Sequence, residues 1–158
     1  MVQTTPEIPT PNIAPVYDKS TVPDVLVDAS ALIALLDRDD AEHNRCVEAL
    51  KRIRDPLATV WPALTEAMHL LADTPRGPEA LCDMVSDGSL KLLLLDATDM
   101  PRLKELMRKY QDLPMDFADA ALVRAAERDG LTRIVTFDGD FEVYRLPRRA
   151  KFNVLPRR

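Results

Sequence analysis

The sequence predicts an α/β domain in which a mainly parallel sheet of four to five strands is covered by helices on both faces. Short, continuously apolar segments alternate along the chain with longer segments whose apolar residues recur at helical spacing. This alternation is typical of a buried parallel sheet. The chain has 158 residues, 46% of them hydrophobic, so a single domain with one core is expected.

The first 22 residues are predicted to be a disordered N-terminal extension, and residues 23–158 are predicted to form the folded domain. The extension is rich in proline and has no apolar periodicity. Such a segment buries too little apolar surface to offset the entropy lost on ordering.

Four buried strands and one edge strand are predicted from the apolar runs. The first run, DVLVD at 24–28, is short, apolar and followed at once by helical spacing, which favours a buried strand. Three further buried strands and the edge strand are predicted at 57–60, 91–96, 133–136 and 151–155.

Six helices are predicted between these strands. Asp28 or Ser30 can cap the first, Pro62 suits a first helical position, and Thr98 is a suitable N-cap. Gly130 ends the last, Ala-rich helix. The predicted helices cover 29–36, 41–53, 62–72, 78–85, 98–110 and 115–128.

Composition indicates a cytoplasmic protein. Cys46 and Cys82 lie in predicted helices without ligand-like spacing, so we expect small buried side chains in a reducing compartment. No apolar run is long enough to span a membrane, and the N-terminus lacks the features of a signal peptide.

Five acidic residues fall where the topology can bring them to one edge of the sheet. Asp28 ends the first predicted strand and Asp138 follows the fourth. Glu66 lies early in the helix after the second strand, and Asp116 and Asp119 share a face at the start of the Ala-rich helix. Because ligands bind beyond the carboxyl ends of parallel strands, these acids are candidate site residues.

Each acid also has a purely structural interpretation. Asp28 can simply cap a helix, acids near helix N-termini are favourable in any case, and Asp138 with Gly139 is a common turn pair. The apolar neighbours of Asp28 and Asp119 favour a site, because a carboxylate beside buried surface costs free energy unless it is paired or binds a metal.

The residue types suit hard divalent cations. Mg²⁺ and Mn²⁺ prefer carboxylate and water ligands, and two such ions about 3.5–4 Å apart can promote phosphodiester hydrolysis. The sequence contains no nucleophile elbow, no phosphate-binding loop and no histidine pair at metal spacing. His43 and His69 are solitary; His69 is one helical step from Glu66 and could border the site, although packing or solvent exposure is the simpler interpretation.

The net charge of −5 opposes binding to a nucleic acid. Two features reduce this objection. Bound metal ions neutralise clustered carboxylates, and the C-terminal stretch is basic, which suits either contact with an RNA backbone or a solvated charged tail. The basic residues there are Arg145, Arg148, Arg149, Lys151, Arg157 and Arg158.

Four segments together resemble the PIN-domain family, specifically its toxin-like, VapC-type branch. In order, the segments are VLVDASALIALLD (25–37), PALTEAMHLL (62–71), MDFADAALVRAAERDG (115–130) and IVTFDGDF (134–141). The order, spacing and predicted secondary structure of the four segments carry the resemblance, which covers about residues 24–155.

The resemblance implies a three-layer α/β/α fold and a metal-dependent endoribonuclease that uses Mg²⁺ or Mn²⁺. It implies that four acids hold the metal and carry catalysis, namely Asp28, Glu66, Asp119 and Asp138. Asp116, Asp140 and Ser30 are implied in supporting roles, with Asp140 as a possible substitute for Asp138 and Ser30 as support for Asp28.

The resemblance also implies an RNA substrate, a homodimer and a cognate antitoxin protein. Two features depart from the family pattern: the proline-rich extension, and the presence of two acids, Asp138 and Asp140, in the fourth segment.

Three other functions compete with that of a nuclease toxin. A haloacid-dehalogenase-like phosphatase needs a second Asp two residues after the first, and Ser30 occupies that position. A non-catalytic PIN module used for RNA or protein binding would have lost acids that are all present here. A housekeeping RNA-processing nuclease would have the same acids as a toxin.

Overall fold

The structure, a computed structural model, describes residues 25–157 and contains a five-stranded, fully parallel sheet. The strand order is β3-β2-β1-β4-β5. The strands are β1 (Val25–Val27), β2 (Leu57–Val60), β3 (Leu90–Leu93), β4 (Arg133–Val135) and β5 (Asn153–Leu155). The predicted extension at 1–22, the domain start at Pro23 and the terminal Arg158 lie outside the described residues.

Six α-helices connect the strands and cover both faces of the sheet. They are α1 (Ala29–Leu36), α2 (His43–Arg52), α3 (Trp61–Leu70), α4 (Gly77–Ser86), α5 (Met100–Lys109) and α6 (Phe117–Asp129). Short 3-10 turns lie at Ala97–Asp99, Gly139–Glu142 and Pro147–Arg149. The predicted α/β class, the predominance of parallel strands and the three layers are confirmed.

Two hydrophobic cores lie on opposite faces of the sheet. Leu26 of β1 belongs to the core under α5 and α6, whereas Val25 and Val27 belong to the core under α1, α2 and α4. This division follows from the two-residue period of a strand, which sends successive side chains to opposite faces. All three side chains are at most 1% exposed, so β1 is the buried centre of the domain.

The chain changes direction across the sheet beside β1. From β1 it continues to β2 and β3 on one side, and it later returns to place β4 and β5 on the other side. A crevice therefore opens beyond the carboxyl ends of β1 and β4, as expected at a topological switch point. Asp28 follows β1 and Thr136 follows β4, so both lie at this crevice.

Two local predictions are wrong. Thr98 does not cap α5: the side chain of Asp96 accepts its N–H at 2.7 Å and opens a 3-10 turn, so α5 begins only at Met100. Cys82 is exposed, whereas Cys46 is buried as predicted. Cys82 lies on the outer face of α4, which the helical pattern alone did not orient correctly.

Within residues 25–157, no helix is both long enough and apolar enough to cross a membrane.

Shortening Leu26 should destabilise the domain far more than shortening Leu94. Leu26 is fully buried in β1, so Leu26→Ala should lower the free energy of unfolding by about 2–5 kcal/mol. Leu94 is 51% exposed, and Leu94→Ala should cost less than about 1 kcal/mol. Urea denaturation of both variants measures this, and equal losses would contradict the central position of β1.

Candidate active site

Asp28 is held in one orientation at the end of β1. Its Oδ1 accepts the backbone N–H of Ala29 at 2.7 Å, which makes it the N-cap of α1. Its Oδ2 accepts the hydroxyls of Ser30 and Thr136, both at 2.8 Å. The residue is only 4% exposed, so these three donors replace the water that the carboxylate has lost.

The same two hydroxyls join the end of β4 to the start of α1. The hydroxyl oxygens of Ser30 and Thr136 lie 3.2 Å apart. Ser30 Oγ accepts the backbone N–H of Phe137 at 3.0 Å, and Thr136 Oγ1 accepts that of Asp138 at 2.9 Å. Sequence reasoning missed Thr136, although a hydroxyl residue directly after a strand and two residues before an acid was a usable signal.

Asp119 is held by its own helix and by a distant tyrosine. Its backbone N–H donates to Oδ1 of Asp116, the N-cap of α6, at 2.8 Å. The hydroxyl of Tyr144 donates to its Oδ2 at 2.9 Å. Tyr144 is fully buried, and its place in the site was not predicted, because nothing in the local sequence links it to a residue 25 positions earlier.

Burial and neighbouring charges raise the pKa of three of the four acids that are predicted to hold the metal. Burial, and then the charge of Asp116, raises the pKa of Asp119 to about 7 despite the opposing hydrogen bond from Tyr144. Burial raises the pKa of Asp28 and that of Glu66 above their ordinary values, and the charge of Asp138 adds to both.

The pattern of mutual repulsion identifies one cluster of acids. Glu66 feels the charges of Asp116, Asp28 and Asp138, and Asp119 feels the same three. The structure therefore brings together the acids of all four predicted segments, which are separated by up to 110 positions in the chain.

In the fourth segment, Asp138 faces this cluster more directly than Asp140. The charge of Asp138 raises the pKa of Asp28, of Glu66 and of Asp119. Its Oδ1 also accepts the backbone N–H of Asp140 at 2.9 Å, so it starts the 3-10 turn after β4. Burial and the charge of Asp138 raise the pKa of Asp140, which lies at the edge of the cluster.

The donor chemistry of the cluster fits a hard divalent cation. Carboxylate and hydroxyl oxygens are the groups around Asp28 and Asp119, and a cation would offset the burial and the repulsion that raise their pKa values. No three Asp, Glu, His or Cys side chains within residues 25–157 are close enough together to hold an ion in their present positions. An ion held here would therefore have at most two of these side chains as direct ligands, with water completing its coordination.

An open cleft of about 650 Å³ lies on the α3 and α6 side of the cluster. Glu66, Asp116 and His69 line it, together with the exposed rings of Trp61 and Phe117. His69 is thus an exposed neighbour of the acids. His43 lies apart from this cleft on α2, where its Nδ1 is 2.8 Å from the carbonyl oxygen of Ala34.

A second cleft of about 550 Å³ lies on the Asp138 side and contains two arginines. Arg45 and Arg157 line it with three acids, Glu42, Asp138 and Glu142. The guanidinium of Arg45 lies 3.3 Å from the carboxylate of Glu42 and 5.7 Å from the centre of the Phe137 ring. Sequence reasoning missed Arg45 as a site neighbour, because it comes from α2, more than 90 positions before Asp138.

The basic residues that are predicted to bind RNA differ in their structural roles. The guanidinium of Arg145 donates to the carbonyls of Glu142 at 2.7 Å and Tyr144 at 2.9 Å, so it stabilises the turn after β4. Arg148, Arg149 and Lys151 are exposed. Contact of these residues with RNA stays a prediction.

This fold and site define a class of protein, namely a parallel α/β domain with an acid cluster at its switch point. A sequence model described as the PIN domain matches residues 25–146, so the chain belongs to the PIN-domain family.

Within that family the similarity is to VapC-type proteins. Ribonuclease VapC26 of Mycobacterium tuberculosis (strain ATCC 25618 / H37Rv) is 28% identical over 136 residues, which cover 84% of this chain and 100% of that protein.

Two solved structures share the fold. Mycobacterium tuberculosis VapC20, described as a Sarcin-Ricin loop cleaving toxin, superposes with a TM-score of 0.71 at 20% identity, over 76% of this chain and 94% of that one. VapBC2 from Rickettsia felis, bound to a DNA fragment from its promoter, gives a TM-score of 0.57 at 12% identity, over 82% and 97% of the chains.

Asp119→Asn should stabilise the metal-free protein at neutral and alkaline pH. Because the pKa of Asp119 is raised from 3.8 to about 7, the wild-type protein loses stability as the pH rises between these values, and asparagine carries no such penalty. Above pH 7 the gain should be about 1–3 kcal/mol. Urea unfolding in EDTA at pH 4, 5.5 and 8 measures it, and a difference that does not change with pH would refute this assignment.

Proposed function

We propose that this chain is an endoribonuclease that hydrolyses phosphodiester bonds in RNA with Mg²⁺ or Mn²⁺ bound at the acid cluster. The observation that carries the proposal is the gathering of four acids beyond β1 and β4, where burial and mutual repulsion raise the pKa values of Asp28, Glu66 and Asp119. The similarity to Ribonuclease VapC26 supports the choice of RNA as substrate.

In this proposal, Asp28 and Asp119 contact the metal directly. Glu66 and Asp138 complete the set of metal ligands or orient the attacking water. Asp116 assists through a second metal ion or a water molecule. When bound, such ions activate water and stabilise the leaving oxygen. The hydroxyls of Ser30 and Thr136 fix one oxygen of Asp28, and Tyr144 fixes one oxygen of Asp119, so the two carboxylates are oriented in advance.

We further propose that the nuclease is the toxin of a toxin–antitoxin pair and acts as a homodimer. VapC20 is described as a toxin, and the name VapBC2 indicates a complex of two components, which supports a cognate antitoxin for this chain. A housekeeping nuclease would have the same site, so expression of the chain in growing cells, alone and with its genomic neighbour, distinguishes the two functions.

Purified protein should cut a mixed RNA pool with Mg²⁺ or Mn²⁺ and lose this activity in EDTA. Asp119→Asn should lower the rate at least about 100-fold, because loss of even a supporting group at a metal site costs about 10–100-fold. Asp83→Asn, at an exposed acid of α4, is the matched control and should cut at the wild-type rate. Gel analysis of labelled RNA measures the cleavage rate of the wild-type protein with metal and in EDTA, and that of the two variants with metal.

Persistence of cleavage in EDTA or in Asp119→Asn would remove the acid cluster from the mechanism. A folded wild-type protein that binds RNA but leaves it intact with both ions would instead favour a non-catalytic PIN module.

In the fourth segment, the rate of RNA cleavage should depend on Asp138 and much less on Asp140. Asparagine caps helical turns as well as aspartate does, so Asp138→Asn should fold normally but lose about 10-fold or more in cleavage rate. Asp140→Asn should retain most of the activity. Initial rates with melting temperatures for both variants test this, and the reverse order would make Asp140 the functional acid.

A further inference from the structure

Two large aromatic side chains are exposed at the edge of the acid cluster. Trp61 is 55% exposed and Phe117 is 42% exposed, whereas other rings, such as those of Phe141 and Tyr144, are fully buried. Trp61 is the first residue of α3 and Phe117 the first of α6. Neither ring serves a core, so their exposure calls for a different explanation.

The two rings share a cleft with site acids. Both line the open cleft of about 650 Å³ that Glu66 and Asp116 also line. Both also line a neighbouring apolar groove of about 320 Å³ with Leu95 and Met100. The rings therefore lie between these acids and the apolar groove, and any group that rests on them lies beside Glu66 and Asp116.

Charge decides which part of a nucleotide fits this position. The residues that line the cleft include Glu66 and Asp116 and no Lys or Arg among those the structure describes. Away from the metal, these two carboxylates disfavour a phosphate over the rings, whereas the face of a nucleobase carries no charge and stacks on aromatic rings. Bases in single-stranded RNA are free to turn outward and stack in this way.

The acids also disfavour a protein partner on this surface. A dry protein interface over the cleft would cover the carboxylates of Glu66 and Asp116 and remove their water, which costs free energy unless each is paired. A single RNA strand stacked on one side of the cleft leaves them hydrated.

We propose that Trp61 and Phe117 form a stacking platform for a nucleobase of single-stranded RNA next to the nucleotide that is cut. The inference rests on the proposed function and adds to it the way in which the substrate is held. It places base contact in the cleft beside α3 and α6, which shares no lining residue with the Arg45 and Arg157 cleft.

The first test uses the intrinsic fluorescence of Trp61, the single tryptophan of the chain. The full chain in Mg²⁺ is mixed in a stopped-flow instrument with a uridine hexamer, an adenosine hexamer or an abasic hexamer with the same phosphates. Both base-containing RNAs should quench the emission before turnover, and the abasic one should leave it unchanged. Equal quenching by all three would overturn the platform.

The second test compares three variants by fluorescence anisotropy of labelled RNA. Trp61→Leu should weaken binding about 10-fold, in line with the loss of one stacked base. Trp61→Phe keeps a ring and should stay within about threefold of wild type. Met100→Ala is the matched control, because Met100 is 48% exposed and lines the apolar groove but not the cleft with Glu66 and Asp116.

The outcomes separate the platform from the nuclease function. Wild-type affinity in Trp61→Leu would overturn the platform even if RNA is cut. A change in sedimentation of Trp61→Leu with unchanged RNA affinity would assign the ring to a protein contact and overturn it too. If the wild-type protein binds RNA but never cuts it, and Trp61→Leu binds RNA more weakly, the platform is supported and the nuclease function is refuted.

Discussion

The buried carboxylate of Asp28 is the constraint on which the arrangement of the site depends. It lies at the end of the central strand, and its two oxygens accept hydrogen bonds from α1 and from the residue after β4. A carboxylate that is 4% exposed costs free energy without such donors. Satisfying it requires β1, α1 and β4 to meet at one point, and that point is the switch point of the sheet.

Around Asp28 the fold concentrates negative charge that a stable core would avoid. Tyr144 and the start of α6 hold Asp119 close enough for burial and neighbouring acids to raise its pKa to about 7. Well-packed apolar surface lies directly beneath, since Ala120, Ala121 and Leu122 are fully buried. Strain of this electrostatic kind is typical of functional sites, and a divalent cation is the simplest group that removes it.

The two clefts beside the acid cluster differ in chemistry. Arg45 and Arg157 lie on the Asp138 side among Glu42 and Glu142, and Arg45 is paired with Glu42. Trp61 and Phe117 lie on the other side, among acids, where they suit an uncharged base.

The sequence by itself determined the parallel sheet, the six helices and the acids of the site, because apolar spacing and strand-end acids are local patterns. It could not decide whether Thr98 caps α5 or whether Cys82 is buried, since capping and exposure depend on neighbouring turns. Only the tertiary structure decided that Thr136, Tyr144 and Arg45 reach the site, and that Asp138 faces the cluster more directly than Asp140. The physical reason is that hydrogen bonds and charge repulsion act through space, between residues whose separation along the chain carries no signal.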